Sequence, residues 1–314
     1  MINLYNKIGC EIGLRPYQFC NLIDLNGSDI VSREDYLDRS RKGAFIATLQ
    51  AGYTDFHYLR PIWQTTTEED ALIGVGVTGI AANKINPEWL KEAASEVRKV
   101  NEETAKKIGI NPAARTTTIK PSGTSSLVLG SSSGIHAYHN DFYIRRIRYG
   151  KDEAIWKYLS TVLPELCEDE KFRPQTQGVL TIPQRSPIGS VVRTETPIEL
   201  LERVRTYNID WVAEGHNRGD NKNNVSCTIS LKDDEWEPVG QWMWENREHY
   251  NGISVLPYDG GTYVQAPFED TSEATYFRMI EMLKDIDLKQ IIEEENNTTL
   301  VDELACAADG CVVV

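Results

Sequence analysis

The chain has 314 residues, 40% hydrophobic and 25% charged, a globular composition with length for about two domains or one large one. Asp and Glu number 47 against 33 Lys and Arg, a formal net charge of −14 that excludes a broad grip on nucleic acid or on an anionic membrane and leaves room for a local phosphate pocket. No run approaches the roughly 18 consecutive apolar residues of a membrane span, and no basic-then-apolar export signal opens the chain, so a cytoplasmic location is expected.

Helical and extended segments alternate along most of the length, which predicts an α/β architecture. The first helix starts at Ser32, with Asp35 as capping-box partner, and carries Leu37, Ala44, Phe45, Ile46 and Leu49. A second starts at Asn86-Pro87 and stops at Gly109, with Trp89, Leu90, Ala93, Ala94 and Val97 at helical spacing. Thr196-Pro197, with Glu199 closing a capping box, opens a third that stops at Gly215. The fourth, from about Ser272, holds Tyr276, Phe277, Ile280 and Leu283. Strands are predicted over Thr116 to Ile119, Val179 to Ile182, Val225 to Leu231 and Gly252 to Leu256. From Ile286 the pattern decays into acidic and polar residues, so 286–314 reads as a flexible arm.

Six cysteines stand at 10, 20, 167, 227, 306 and 311. Cys167 and Cys227 read as small buried hydrophobes. The terminal pair Cys306 and Cys311 sits where a chain is exposed, and suits thiol–disulfide exchange. Zinc is the competing reading, but it wants four ligands, and the five histidines show no matching spacing. Cys10, Glu11 and Cys20 place two thiols beside a carboxylate that can act as a base; the alternative is a surface glutamate with packed cysteines. The stretch Thr116 to Leu129 reads as strand, tight loop and apolar helix, with Ser122, Gly123, Thr124, Ser125 and Ser126 at the bend. Such a bend either binds a phosphate through free amides and hydroxyls or is an ordinary cap; no Gly-Lys-Ser/Thr ending supports a nucleotide P-loop. The polar run from Gly215-His216 to Asn223-Asn224 reads as a solvated turn with a structural histidine.

Taken together, Glu11 to Leu22, Thr117 to Ser126, Gly134-Ile135-His136, Tyr143 to Arg148, Gly215 to Cys227, Leu256 to Phe268 and the terminal thiol pair resemble the catalytic subunit of ribonucleotide reductases. The likeness is nearest to the adenosylcobalamin-dependent (class II) ribonucleoside-triphosphate reductases of the monomeric type. The resemblance implies the C-terminal half of a ten-stranded α/β barrel with a flexible C-terminal arm. It implies thiyl-radical reduction of a ribonucleoside triphosphate, with adenosylcobalamin as cofactor and thioredoxin or a similar dithiol as reductant. Carried over, Glu11 is the base on the 3′ hydroxyl, Cys20 is one member of the reducing pair, and Cys306 and Cys311 are the tail shuttle. Gly123, Thr124 and Ser125, flanked by Ser122 and Ser126, form the substrate phosphate cradle, and no metal site is implied.

The family's finger loop reads Asn-Pro-Cys-x-Glu, whereas Lys7, Ile8 and Gly9 stand at the corresponding positions here, with Cys10 adjacent to Glu11. The expected organisation is therefore a non-family leader over 1–10, reductase barrel over 11–285 and redox arm over 286–314, with an N-terminal reductase fragment as partner and an interrupted gene as origin. A class I catalytic subunit shares the loop and tail cysteines but transfers its radical through paired tyrosines, and no Tyr-Tyr occurs here. The other alternative is a catalytically silent remnant that binds a nucleotide or a partner polypeptide.

Overall fold

The computed structural model describes residues 11–19, 21–258, 260, 263–283 and 286–292. Cys10, Cys20, Cys306 and Cys311 lie outside the described residues, as do the expected leader and all of the arm beyond 292. In chain order the first elements are β1 (Asn21–Asn26), α1 (Arg33–Ala51), α2 (Pro61–Asp70), β2 (Ile73–Thr78), α3 (Leu90–Ile108) and α4 (Gly123–Val128). There follow β3 (Phe142–Gly150), α5 (Ala154–Val162), β4 (Cys167–Asp169), β5 (Gln177–Arg185) and α6 (Pro197–Tyr207). The last are β6 (Thr228–Leu231), α7 (Trp236–Glu245), β7 (Ser254–Pro257), β8 (Phe268–Asp270) and α8 (Glu273–Met282). The fold is α/β, and two compact units share the described residues: one runs to Ala137 and includes Thr194–Tyr258, the other holds Tyr138–Arg193 and the described residues from 260 onward.

In the first unit five extended segments lie side by side in chain order, all parallel. β1 pairs with β2, Val75 bridges Thr117, Ile119 bridges Val225, and β6 pairs with β7. The 115–119 segment joins the pattern through slanted bonds, Val75 N–H to Thr116 O (2.8 Å) and Thr118 N–H to Val75 O (3.1 Å). Parallel neighbours need crossovers, which α1 and α2, α3, α6 and α7 supply. β2 is buried along its whole length, as expected of a strand covered on both faces. It alternates glycine, Ile-Gly-Val-Gly-Val-Thr, and that composition hid it from sequence reading. A Cβ on Gly74 would press on Leu22 at 2.6 Å and Ile12 at 2.8 Å, so the missing side chain makes room for the 11–22 segment.

The helix starts match their sequence signals. Thr196 Oγ1 accepts from Glu199 N–H (3.3 Å) and Glu199 Oε2 accepts from Thr196 N–H (2.7 Å), a complete capping box. At α1 only half a box forms: Ser32 Oγ accepts from Asp35 N–H, while the Asp35 carboxylate accepts from Val31 N–H and pairs with Arg39. The buried face of α1 is Tyr36, Leu37, Ser40, Gly43, Ala44, Ala47, Thr48 and Ala51, mostly small residues that let the helix pack closely on β1, β2 and α3. Phe45, Ile46 and Leu49, apolar positions of the same predicted helix, are largely exposed because they fall on the opposite side of the turn. α6 passes into a π-helical turn, Asn208–Val212, before Gly215. A Cβ at Gly215 would overlap Thr117, so glycine is required by this close approach.

The second unit is an antiparallel sheet of order β4-β5-β3-β8, packed by α5 and α8 around Leu159, Leu163, Leu166, Leu180 and Met279. Of the expected arm, 286–292 is described and contains a short 3-10 turn, Leu288–Gln290. Among the described residues no helix is long and apolar enough to cross a membrane.

Candidate functional site

An open cleft of about 680 Å³ is lined by Glu11, Leu22, Lys120 and the bend 121–125. It stands at the C-terminal end of the 115–119 segment, where ligands sit in parallel α/β architectures. The bend is held in a left-handed conformation at Ser122 (φ 54°) and enters α4, whose first intrahelical bond runs from Ser126 N–H to Ser122 O (2.8 Å). The amides of Gly123, Thr124 and Ser125 precede that bond and have no partner within the helix. From behind, a Cβ on Gly134 would overlap Lys120 O, and the Ser133 hydroxyl donates to Pro121 O. The sequence-predicted residues 122–126 thus form one short bend.

The three serine hydroxyls of the bend point inward. Ser122 Oγ donates to Asp24 Oδ1 (3.1 Å), the Ser125 hydroxyl donates to Asp24 Oδ2, and Ser126 Oγ donates to Gly123 O (2.9 Å). Lys120 Nζ pairs with Asp24 Oδ2 at 2.9 Å. Asp24 and Lys120 were not legible as site residues, since a lone acid within Asn-Leu-Ile-Asp-Leu-Asn and a lysine before proline carry no spacing signature.

Glu11 is brought to the same cleft by a segment pinned along its length. Its carbonyl accepts from Thr118 Oγ1 (2.6 Å) and Asn224 N–H (2.8 Å). Ile12 is buried with Leu72, Ala114 and Leu22. Further on, Arg15 pairs with Asp70 (3.0 Å) and Glu69 (2.9 Å), and Gln18 Nε2 donates to Asp70 (2.6 Å). The structure therefore unites Glu11 with the 122–125 bend, while Cys10, Cys20, Cys306 and Cys311 fall outside the described residues.

The run from His216 to Asn224 is not a solvated turn throughout. Asn223 is 1% exposed and donates to Thr117 O (3.0 Å), and Asn224 Nδ2 donates to Gly252 O (2.9 Å), so both amides tie neighbouring parallel segments together. Hydrogen bonding of a side chain to strand backbone buries what composition alone assigns to solvent. His216 is structural, its Nε2 2.8 Å from Gly219 O, and burial lowers its pKa. Cys227 is buried, and burial pushes its thiol up to about 12, which leaves it an inert thiol. Cys167 is half-buried, its thiol also raised by burial.

The fold is shared with a solved B12-dependent (class II) ribonucleotide reductase, at TM-score 0.70 and 21% identity over 86% of this chain and 41% of that one. In sequence the chain is similar to the probable adenosylcobalamin-dependent ribonucleoside-triphosphate reductase of Dictyostelium discoideum, 27% identical across 97% of this chain and 39% of that protein. It is also 27% identical to the adenosylcobalamin-dependent ribonucleoside-triphosphate reductase of Lactobacillus leichmannii, over 69% of this chain and 29% of that protein. The resemblance read from the sequence is borne out, and the chain spans well under half the length of these curated relatives. No protein-family model matches the chain.

Proposed function

We propose that this chain supplies part of an adenosylcobalamin-dependent ribonucleoside-triphosphate reductase: the catalytic base, one reducing cysteine and the substrate phosphate loop. The observation that carries the reading is the shared cleft, where Glu11 and the 120–125 bend line one space of about 680 Å³, within the range of small-ligand pockets. In this reading the five parallel segments are the C-terminal half of a ten-stranded barrel, and a complementary polypeptide supplies the other half. Glu11 removes the proton of the 3′ hydroxyl, and the free amides of 123–125 with the Lys120 ammonium receive the triphosphate. Cys20 belongs to the pair that reduces the 2′ carbon, and Cys306 and Cys311 return electrons from thioredoxin or a similar dithiol.

Gly9 stands where the resemblance expects the radical-bearing cysteine. In an extended chain, residues i and i+2 share a face while neighbours do not, so a thiol adjacent to Glu11 in sequence is a poor substitute for one two residues before it. The radical-bearing thiol is therefore assigned to the complementary polypeptide. Adenosylcobalamin, when bound, supplies the radical that oxidises that thiol. No cofactor contact is assigned among the residues that line the cleft.

Hydrogen exchange of the full chain with and without a ribonucleoside triphosphate tests the nucleotide reading. Protection is expected at 11–13 and 120–126; protection confined to other segments, or none at millimolar nucleotide, contradicts it.

A further inference from the structure

Asp24 lies on β1 with a side chain only 5% exposed, and its carboxylate gathers three donors from the cleft: Lys120 Nζ, Ser122 Oγ and Ser125 Oγ. A hydroxyl has one proton to give; that of Ser125 is directed at Asp24, and that of Ser122 lies between Asp24 Oδ1 (3.1 Å) and the Lys120 carbonyl (3.3 Å), both inside the protein. An ionised phosphate oxygen only accepts, so a serine whose proton is already committed offers it nothing. Lys120 differs, because an ammonium has three protons and one suffices for Asp24. Among the described residues lining the cleft, Lys120 is the one cation and Glu11 the one acid.

We propose that Asp24 is a positioning residue, which holds the Lys120 ammonium at the cleft and draws the Ser122 and Ser125 hydroxyls inward, so that Lys120 rather than these serines meets the polyphosphate. The proposal rests on the phosphate reading of the cleft and specifies which donors serve it. It also reverses the sign expected from charge alone. A carboxylate near an anion site repels the anion, so its removal should tighten binding if Asp24 were a bystander. If Asp24 holds the cation in place, removal weakens binding.

The test is calorimetric titration of the full chain with inorganic tripolyphosphate at low salt. Asp24→Asn is expected to weaken binding about tenfold, the scale of one charge-assisted hydrogen bond, and Lys120→Met at least as much. Ser125→Ala, which keeps every charge, is expected to weaken it by less than about threefold. Hydrogen exchange is expected to quicken at 120–126 in Asp24→Asn and to stay unchanged across β2, which separates positioning from general destabilisation. Equal or tighter binding by Asp24→Asn overturns the proposal. If that variant does not fold, the Ser125→Ala titration decides, since a tenfold loss there assigns the phosphate to the serine. A wild-type chain that binds no tripolyphosphate removes the phosphate reading itself, and this proposal with it; wild-type binding with unaffected variants removes only this proposal.

Discussion

Glu11 owes its place to its own carbonyl, which is held by Thr118 and Asn224 while the side chain lines the cleft. Glu11→Gln preserves shape and removes the proposed base, so deoxynucleotide formation in a reconstituted reductase is expected to fall by about 10²–10⁴-fold, with the nucleotide footprint at 120–126 retained. Loss of both together would make Glu11 a structural residue. In the second unit, His139 sits between Tyr143 (5.6 Å) and Phe268 (5.7 Å). Burial, aided by Arg193 and opposed by Asp270, lowers its pKa to about 4. Below pH 6.5 the unfolded chain takes a proton that the folded one refuses, so stability falls as pH drops from about 6.5 toward 4, by up to about 3 kcal/mol. Urea unfolding at pH 7 and 4.5 should show His139→Gln losing that slope; an identical pH dependence in the two chains would contradict the assignment. Glu11 and the 122–126 bend could be read from the sequence because their neighbours form recognisable stretches. Asp24 could not, since its partners lie about a hundred residues away and meet it only through parallel pairing.

Helix starts were the most legible elements, because a cap is local chemistry: Thr196 with Glu199, Asn86 before Pro87 and Ser272 with Thr275 all stand at observed starts. Strands were less so. β2 carries two glycines, and the first of them, Gly74, leaves space for Leu22 and Ile12, a requirement visible only once the neighbouring segment is in place. The 115–119 segment was expected as a strand and does pair in parallel on both sides. Two substitutions test the elements around the bend. Thr196→Ala should cost about 1 kcal/mol, a typical cap loss, and leave the bend unaltered. Gly134→Ala forces a side chain onto a residue at φ 54° and against Lys120 O; a cost of about 1–3 kcal/mol is expected, with faster hydrogen exchange at 120–126. Urea midpoints measure both, and a Gly134→Ala chain as stable as wild type would contradict the packing described.

Among the described residues, the parallel run consists of the two-stranded sheets β1-β2 and β6-β7 bridged by the 115–119 segment, with β1 at one end and β7 at the other, and such end strands are exposed pairing sites unless something covers them. Apolar side chains stand exposed in the segment leading into β1, Tyr17 and Phe19, and within β7, Leu256. The chain alone is expected to self-associate, and to elute as a defined complex when a polypeptide carrying the remaining reductase segments is added. A monodisperse monomer with sharp unfolding would contradict a half-barrel. The parallel order came from the structure, whereas the barrel entered through resemblance alone. The central claim is that this chain contributes the base and phosphate loop of a ribonucleoside-triphosphate reductase. It is tested most directly by deoxynucleotide formation from a ribonucleoside triphosphate, with adenosylcobalamin and a dithiol, by the chain mixed with its complementary polypeptide. Turnover in the mixture, absent from either polypeptide alone and lost with Glu11→Gln, is the predicted result; no turnover in a mixture that forms a stable complex would contradict it.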